Sequence, residues 1–284
     1  MIIDNKYTIP HTYLYSAMDY KKRISAIAMV NTTQDLASAH YSEGGMSMMH
    51  LHGIGQTWVI TKQKFEFFDY PYGLDKLILQ TWAHEPKGLF CIRDYKYSYA
   101  DNGRKPSSDQ ACIDLNKMFN TDDLEVKEEN LIMKASAMWM VLDQKTGKPL
   151  KADNFAMGTL TFLNENVLEG GFSKIALSED WDFETKFSPN VLDIDMNKHV
   201  NNLCYCRWIF SFMDIHYIKD KLLKTLETNF IASALFGDTL ICRYKLLENN
   251  TCVHSIIRED GTEIFRARTV WAPEDELARN QPLY

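Results

Sequence analysis

The 284-residue sequence lacks several features that would assign it to a membrane or to export. It contains no run of ~18 apolar residues, so we expect no membrane-spanning helix. Residues 1–10 have no basic segment followed by an apolar one, which argues against a secretion signal. No Ser- and Arg-rich extension precedes the first folded segment, so we expect no organelle transit peptide and a cytoplasmic protein.

Cysteine motifs for metal binding are also missing, although the chain has six cysteines. None forms a CxxC pair, and Cys204 with Cys206 lacks the second ligand pair that a zinc site needs. We therefore expect no metal and no other cofactor. The cysteines are interpreted as free buried thiols of a reducing compartment.

Basic charge is scarce, because 31 Lys and Arg stand against 38 Asp and Glu, a net charge of −7. Nucleic-acid binding needs a basic surface, so we expect no nucleic-acid partner. An acidic protein partner would need a local basic patch, for which the candidates are residues 21–23, Arg207, Arg266 and Arg268. Each of these is more simply explained as a solvated surface charge.

The first half of the sequence has an α+β pattern. It begins with a strand over residues 7–20 and a helix over residues 34–40, for which residues 31–33 supply the N-cap. Strands are predicted after the helix, over residues 58–61, 63–68, 77–82, 89–97 and 131–143. Residues 101–130 are polar with little periodicity, which predicts an insertion containing one short helix.

The second half repeats this order. A strand over residues 183–187 precedes a helix over residues 200–218. The strands predicted after that helix cover residues 228–235, 239–245, 252–258 and 262–271. The period is far longer than that of a solenoid repeat, so we interpret it as the duplication of a whole unit. Each unit would be one long helix followed by an antiparallel sheet that wraps it, with the boundary near residues 153–182.

Residues 193–202 concentrate polar side chains directly before an apolar helix. Asp195, Asn197 and His199 alternate, so in an extended segment all three side chains would point to one side. The start of the helix adds free N–H groups and the positive end of the helix dipole. Such a face suits thioester hydrolysis. The imidazole can act as general base, the carboxylate can orient it or act as nucleophile, and the amide can position a water.

The same residues also have a purely structural explanation. Asn and Asp are good helix caps, and His199 would then be a hydrogen-bonded core histidine. Capping needs only one or two such residues, however, whereas this segment also contains Asn201 and Asn202. The residues alone leave both interpretations open.

Residues 192–202, followed by Tyr205 and Trp208, closely resemble the signature of acyl-ACP thioesterases, plant and bacterial enzymes that release fatty acids from acyl carrier protein. Other stretches resemble the family in the right order, namely residues 34–40, 58–61, 70–71, 137–148 and 262–271. The resemblance implies an α+β fold of two tandem hotdog domains, each a long helix wrapped by an antiparallel β-sheet.

This fold agrees with the duplication. We expect an N-terminal hotdog domain with the acyl channel over residues 1–155, a linker over 156–180 and a catalytic hotdog domain over 181–284. Two hotdog units in one chain already supply the pairing that single-hotdog proteins obtain by dimerising, so the chain could be a monomer or a homodimer.

The resemblance also implies a site, a partner and a reaction. The catalytic Asp, Asn and His of the family correspond to Asp195, Asn197 and His199 in this sequence. The first hotdog domain is thought to shape the acyl channel, which implies that the residues near the acyl chain are Met46, Met48, Met49 and Trp58. The partner would be an acyl carrier protein bearing a fatty acyl thioester. The reaction would hydrolyse that thioester to free fatty acid and holo-ACP in fatty acid biosynthesis.

The sequence departs from the plant pattern at one point. Plant members carry a further catalytic Glu followed by Cys, shortly before the Gly-Asp turn of the second half. This chain has Ser233, Ala234 and Leu235 there. A Cys nucleophile is therefore absent at that position, and a required Glu would have to come from elsewhere, such as Glu227. We favour attack by water assisted by His199, with Asp195 as an orienting or nucleophilic carboxylate.

Two other functions fit the same fold. An acyl-CoA thioesterase would differ in the surface charge around the mouth of the channel. A non-catalytic acyl-thioester-binding protein would bind substrate without turnover. A hotdog dehydratase is less consistent, since the matching signature is that of thioesterases.

Overall fold

The computed structural model describes residues 1–100, 124–151, 158–176 and 178–277. By their contacts these residues form two compact units. The first comprises Met1–Val59 and Phe67–Glu169, and the second Ile60–Glu66 and Gly170–Leu277. The domain boundaries expected at residues 155 and 181 stay a prediction. No helix among the described residues is long and apolar enough to cross a membrane.

The first unit contains two helices, α1 (Ala26–Glu43) and α2 (Met48–Gly53). Its strands are β1 (Ile2–Ile3), β2 (Lys6–His11), β3 (Gln56–Phe67), β4 (Leu77–Ala83), β5 (Cys91–Tyr99) and β6 (Leu131–Asp143), although residues 60–66 of β3 belong to the second unit. The antiparallel order is β1-β2-β4-β5-β6. Strand β4 is buried along its whole length, and α1 packs against it.

The second unit contains helices α3 (Asn202–Ser211), α4 (Ile215–Ile218) and α5 (Glu274–Leu277). Its strands are β7 (Phe183–Phe187), β8 (Lys221–Phe230), β9 (Leu240–Leu246), β10 (Thr251–Arg258) and β11 (Glu263–Pro273). The antiparallel order is β7-β9-β10-β11-β8, and residues 62–66 of β3 pair with β8.

The two units share one strand order. In each, the strand before the main helix pairs with the second strand after it, β2 with β4 and β7 with β9. The two following strands then continue the sheet in chain order, β5 and β6 in the first unit and β10 and β11 in the second. The α+β class predicted from the sequence is therefore confirmed.

The main helix of the first unit begins earlier than predicted. The sequence indicated a helix over residues 34–40 with its N-cap in residues 31–33, but α1 begins at Ala26 and Ser25 is its N-cap. The Oγ of Ser25 accepts the N–H of Ala28 at 3.2 Å. The Thr32 hydroxyl donates to the carbonyl of Ala28 at 2.9 Å, which satisfies it inside the helix. The predicted cap was wrong because the Thr32 hydroxyl bonds the preceding turn of the helix and does not lie at its start.

Other boundaries also shifted. The predicted helix over residues 200–218 is divided into α3 and α4, because Asp214 starts a new helix by accepting the N–H of His216 at 2.9 Å. The strand predicted over residues 228–235 ends at Phe230, and residues 231–236 form a loop. The strand predicted over residues 7–20 ends at His11.

Of the predicted insertion over residues 101–130, residues 101–123 lie outside the described residues, and Glu128–Asn130 form a 3₁₀ turn.

The cap of α1 provides a first test of the fold. Ser25→Ala removes the acceptor of the Ala28 N–H, so we expect the free energy of unfolding to fall by about 0.5–2 kcal/mol. Urea denaturation followed by circular dichroism measures this change. Ser42→Ala, an exposed change in the last turn of the same helix, is the control and should alter stability by less than about 0.5 kcal/mol. Equal losses in both variants would contradict the assigned cap.

A histidine in the core of the second unit makes stability depend on pH. His254 on β10 is fully buried, and its Nε2 lies 3.0 Å from the Oγ1 of Thr269. Burial lowers the pKa of His254 to about 3. In the unfolded chain the imidazole has a pKa of about 6.5. Below that pH the unfolded state therefore binds one proton more than the folded state.

We therefore expect the free energy of unfolding to fall as the pH drops from about 6.5 towards 4, by up to about 1.4 kcal/mol per pH unit from His254 alone. His254→Gln should reduce that slope while lowering stability at pH 7. Urea titrations at half-unit pH steps measure it. An unchanged slope in His254→Gln would show that another group carries the acid sensitivity.

Candidate active site

The segment between residues 193 and 200 is a tight turn that leads into α3. Ile194 and Val200 form an isolated antiparallel bridge. Inside it, the N–H of Asp195 donates to the carbonyl of His199 at 2.8 Å, and the N–H of Lys198 donates to the carbonyl of Asp195 at 3.0 Å. Lys198 has a φ of 63°, in the left-handed region. The prediction of an extended segment, with three alternating side chains on one face, was therefore wrong.

The carboxylate of Asp195 holds this turn together. Its Oδ1 accepts the backbone N–H of Asn197 at 2.8 Å and that of His199 at 3.3 Å. Its Oδ2 accepts the side-chain amide of Asn197 at 3.3 Å. Hydrogen bonds to a charged acceptor contribute roughly 1.5–3 kcal/mol each. The structure thus brings the side chains of Asp195 and Asn197 together, as the sequence predicted, but through a turn.

His199 meets Asp195 only through its backbone. Its N–H donates to the carboxylate and its carbonyl accepts from the Asp195 N–H, whereas its ring is exposed. The alternative of a hydrogen-bonded core histidine is therefore wrong. The expectation that Asp195 orients the imidazole directly is also not met by the hydrogen bonds among the described residues. The ring is left accessible to a water or a substrate.

One neighbouring residue caps the helix, as the structural explanation required, and another stabilises the turn before it. Asn201 is the N-cap of α3, since its Oδ1 accepts the N–H of Leu203 at 2.8 Å. Asp193 is buried and accepts the N–H of Asn190 at 2.8 Å, which stabilises the 3₁₀ turn Val191–Asp193. Asn202 is the first helical residue, and its N–H meets no acceptor among the described residues. That N–H is free to receive negative charge at the helix start.

The loop over residues 231–236 lies directly against the turn. The N–H of Val200 donates to the carbonyl of Ala234 at 3.0 Å, and the N–H of Ala234 donates to the hydroxyl of buried Tyr205 at 2.8 Å. Ser233, Ala234 and Leu235, where plant thioesterases are expected to carry Glu and Cys, therefore adjoin the Asp195 turn. The Glu and Cys side chains of the plant pattern are therefore absent from a loop that lies beside the candidate site.

Sequence reasoning missed the residue that fixes this loop. Arg258 at the end of β10 donates through Nε to the Oδ2 of Asp238 at 3.1 Å and through Nη2 to the carbonyl of Ser233. The same Asp238 oxygen accepts the N–H of Leu235 at 2.9 Å. An Arg at the end of a strand followed by a hairpin turn gave no signal, because its partners lie about 20 residues earlier in the chain.

Glu227, considered as a replacement for the missing Glu, is already engaged. It lies nearly buried on β8, where its carboxylate accepts from Arg268 at 2.6 Å and from the hydroxyl of Ser173. Arg268 also donates to the Ser173 hydroxyl at 3.1 Å. These contacts make Glu227 part of an ion pair with Arg268 rather than a free carboxylate.

The four residues expected near the acyl chain differ in their surroundings. Met46 is buried in an apolar cluster with Tyr41, Leu51, Trp58 and Leu160. The Trp58 ring packs edge-on against Tyr41, with ring centroids 5.5 Å apart, and also against Trp139. Met48 is partly buried at the start of α2, but Met49 is 70% exposed. The structure therefore gathers Met46 and Trp58 but not Met49.

Two buried polar residues of the first unit also escaped sequence reasoning. Arg93 on β5 donates through Nη1 to the Nδ1 of His40 at 2.8 Å and to the hydroxyl of Thr81 at 3.2 Å. Burial, followed by the Arg93 charge, lowers the pKa of His40 to about 3. The imidazole is therefore neutral and its Nδ1 acts as acceptor.

The cysteines of the described chain are poor nucleophiles. Five are buried free thiols, namely Cys91, Cys204, Cys206, Cys242 and Cys252, and Cys112 lies outside the described residues. Burial raises the pKa of each of the five to about 12, so none carries a thiolate near neutral pH. Nor do any three His, Cys, Asp or Glu side chains of the described residues gather so that they could hold a metal ion.

Family models match both halves of the chain. The model of the acyl-ACP thioesterase N-terminal domain matches residues 4–106, and that of the acyl-ACP thioesterase C-terminal domain matches residues 177–273. The chain is 23% identical over 270 residues to the chloroplastic acyl-[acyl-carrier-protein] hydrolase FATB1 of Cuphea viscosissima, covering 87% of this chain and 57% of that protein. It is 23% identical over 278 residues to the chloroplastic oleoyl-acyl carrier protein thioesterase of Coriandrum sativum, covering 90% of this chain and 66% of that protein.

Solved structures show the same fold. An acyl-ACP thioesterase from Bacteroides thetaiotaomicron superimposes with a TM-score of 0.75 at 19% identity, covering 95% of this chain and 98% of that one. The 12:0-ACP thioesterase from Umbellularia californica superimposes with a TM-score of 0.78 at 15% identity, covering 96% and 99%. These likenesses confirm the hotdog fold. The chain spans 57–59% of the length of the first three curated relatives that it matches.

The bond between Tyr205 and Ala234 tests whether the loop is held as described. Tyr205→Phe leaves the N–H of Ala234 without its acceptor in a buried place, so the free energy of unfolding should fall by about 1–3 kcal/mol. Tyr20→Phe, at an exposed tyrosine, should change it by less than about 0.5 kcal/mol. Chemical denaturation of both variants decides, and an unaffected Tyr205→Phe protein would mean that the loop finds another acceptor.

Proposed function

The chain belongs to the acyl-ACP thioesterase family, and from this premise we propose that it hydrolyses fatty acyl-acyl carrier protein to free fatty acid and holo-ACP in fatty acid biosynthesis. The observation that carries the proposal is the Asp195 turn. A carboxylate with three N–H donors fixes an amide and an exposed imidazole at the start of α3.

In the proposed mechanism, His199 takes a proton from a water whose oxygen attacks the thioester carbonyl carbon. The carbonyl oxygen becomes negatively charged, and the free N–H of Asn202 at the start of α3 is available to stabilise it. The C–S bond then breaks, and the imidazolium returns its proton to the departing thiolate. The products are a free acid and the thiol of holo-ACP, so atoms and charge balance.

The hydrogen bonds of Asp195 favour an orienting role over a nucleophilic one. Both oxygens are already occupied by donors, from Asn197 and from the backbone of His199. Lone pairs that accept strong hydrogen bonds are less available for attack on a carbonyl carbon. Asp195 therefore acts by setting the backbone that presents Asn197 and His199, and Asn197 positions the attacking water.

The acyl chain is proposed to contact the apolar cluster of the first unit. Met46 and Trp58 are the two expected residues that this cluster contains, and each buried methylene of substrate would contribute ~0.8 kcal/mol. Met48 at the edge of α2 stays a candidate. Met49 is exposed, so we expect it to contribute little to binding of the acyl chain.

A reducing compartment is proposed for the protein, consistent with the cytoplasm. The five described cysteines are free thiols rather than disulfides, which supports this location. The names of the curated relatives given above place those proteins in the chloroplast.

The decisive test is removal of the imidazole. His199→Ala should lower kcat/KM for acyl-ACP by 10²–10⁴-fold, the usual contribution of a general base. The control is His216→Ala, an exposed histidine on α4 with no place in the proposed site, which should keep kcat/KM within twofold. Free-thiol release from acyl-ACP measures turnover, and circular dichroism verifies that the variants fold.

The same assay separates the alternatives. Turnover of a matched acyl-CoA at least as fast as that of acyl-ACP would replace the proposal with an acyl-CoA thioesterase. Tight binding of acyl-ACP with no thiol release would instead identify a non-catalytic binding protein. Full activity in His199→Ala would refute the assigned base.

A further inference from the structure

The two units carry the same turn before their main helix. In the first unit, the N–H of Asp19 donates to the carbonyl of Arg23 at 2.9 Å, and the N–H of Lys22 donates to the carbonyl of Asp19 at 3.0 Å. The Asp195 turn contains the same two bonds, at 2.8 and 3.0 Å. Lys22 has a φ of 59°, in the left-handed region that the Asp195 turn also uses. The Asp19 turn is therefore the counterpart of the Asp195 turn, and Arg23 occupies the position of His199.

The loop beside each turn is also repeated. In the first unit, the N–H of Ile24 donates to the carbonyl of Pro71 at 2.8 Å, and the N–H of Tyr72 donates to the Oδ2 of Asp75 at 2.8 Å. The second unit makes the same two bonds, at 3.0 and 2.9 Å, around the loop over residues 231–236. The counterparts of the four first-unit residues are, in the same order, Val200, Ala234, Leu235 and Asp238.

An arginine holds the same backbone carbonyl in both units. The carbonyl of Tyr70 is equivalent to that of Ser233, since each lies one residue before the carbonyl that the turn bonds. In the first unit, Nη1 of Arg23 donates to the Tyr70 carbonyl at 3.3 Å. Arg23 is 2% exposed, and its guanidinium carbon lies 4.8 Å from the centre of the Tyr72 ring. In the second unit, Nη2 of Arg258 donates to the Ser233 carbonyl.

The two arginines come from different positions of the fold. Arg258 pairs with Leu240, the first residue of β9, and Tyr99 pairs with Leu77, the first residue of β4. Each Leu follows the loop aspartate by two residues, so Tyr99 occupies the position of Arg258. The first unit therefore has an arginine on the turn and a tyrosine on the strand. The second unit has a histidine on the turn and an arginine on the strand.

This exchange changes what the turn can present. In the first unit, the side chain at the turn position is buried and engaged in holding the loop. In the second unit, Arg258 makes that contact from the strand, and the ring of His199 is exposed. Arg258 also donates through Nε to the Oδ2 of Asp238 at 3.1 Å, so it holds the loop on both sides of Ala234.

We propose that Arg258 is a positioning residue for thioester hydrolysis, because it fixes the loop from the strand and leaves position 199 to a catalytic imidazole. This rests on the proposed hydrolysis of acyl-ACP. Arg258 acts through the loop, since the Ala234 carbonyl holds the N–H of Val200, which directly follows His199. Loss of the contact loosens the peptide that carries the imidazole and removes no group that touches substrate. The effect therefore falls on kcat rather than on KM.

The test compares two arginines that make the same kinds of contact. Arg258→Met keeps the apolar stem and removes every donor, and Arg258→Lys keeps one cation. The control is Arg266→Met, because Arg266 donates through Nε to the Glu263 carboxylate at 3.1 Å and through Nη1 to the carbonyl of Ile175 at 2.8 Å. Each substitution is made in the wild-type chain and in His199→Ala, and kcat and KM are measured on acyl-ACP.

We expect Arg258→Met to lower kcat roughly 10–100-fold with KM within twofold, since a small misplacement of a catalytic group costs up to about 10² in rate. Arg258→Lys should lose about threefold to tenfold. In the His199→Ala background, Arg258→Met should lower the residual rate less than twofold, because it acts through the imidazole. Arg266→Met should keep kcat within twofold in both backgrounds.

Amide hydrogen exchange tests the contact without turnover. Arg258→Met should speed exchange of the Val200 N–H at least fivefold, because its acceptor belongs to the loop that Arg258 holds. The Ile24 N–H is the internal reference. Its acceptor lies in the loop that Arg23 holds, so its exchange rate should stay within twofold.

Three kinetic results would overturn the proposal. One is a kcat of Arg258→Met within twofold of the wild type. A second is an equal loss with and without His199, which would mean a general loss of structure. A third is a loss in Arg266→Met as large as in Arg258→Met. If Arg258→Met does not fold, Arg258→Lys decides by the same comparisons.

The exchange measurement separates this proposal from the proposed function. An unchanged exchange rate of the Val200 N–H in Arg258→Met would refute the contact itself, whatever the activity. If the wild-type chain does not hydrolyse acyl-ACP, the proposed function fails and the positioning role fails with it. Faster exchange would in that case still show that Arg258 holds the loop.

Discussion

The candidate site depends on one carboxylate. Asp195 accepts three N–H groups within four residues, and this closes a turn whose ends are bridged by Ile194 and Val200. The N–H of Val200 then donates to the Ala234 carbonyl, and Asn201 caps the start of α3. The exposed ring of His199 and the amide of Asn197 take their positions from that turn, and the loop beside them is tied to it through the Val200 N–H. A local set of charge-assisted hydrogen bonds thus determines the geometry of a site that spans distant parts of the sequence.

The fold was largely predictable because its strands have strong local signals. The strands over residues 131–143 and 183–187 were found with their observed ends, and the repeated order of strands around a helix gave the α+β duplication. Helix starts were harder. Ser25 caps α1, but Thr32 and Thr33 carry the same chemistry and use it to bond the preceding turn. The backbone conformation decides which hydroxyl caps the helix, and the residue types alone do not reveal that conformation.

The site was predictable in its residues but not in its geometry. The sequence singled out Asp195, Asn197 and His199 by spacing, yet an alternation of polar residues predicts an extended segment and the chain forms a turn with Lys198 at positive φ. Arg258 and the pair Arg93 with His40 could not be found, because their partners are distant in the chain. The open alternative of helix capping proved correct for Asn201, whereas Asp193 stabilises the 3₁₀ turn that precedes the helix. Within one segment, Asn201 caps the helix, while Asp195, Asn197 and His199 are the residues proposed for catalysis.

The left-handed backbone of Lys198 limits which residue types can replace it in evolution. At a φ of 63°, Asn, Asp and Gly are tolerated readily, whereas a β-branched residue is strained by roughly 1–2 kcal/mol. That strain would fall on the same few hydrogen bonds that present His199. Natural variation at residue 198 is therefore limited by backbone shape more than by the loss of an ammonium group. A residue of different charge is therefore compatible with position 198, whereas Val, Ile and Thr should be rare there.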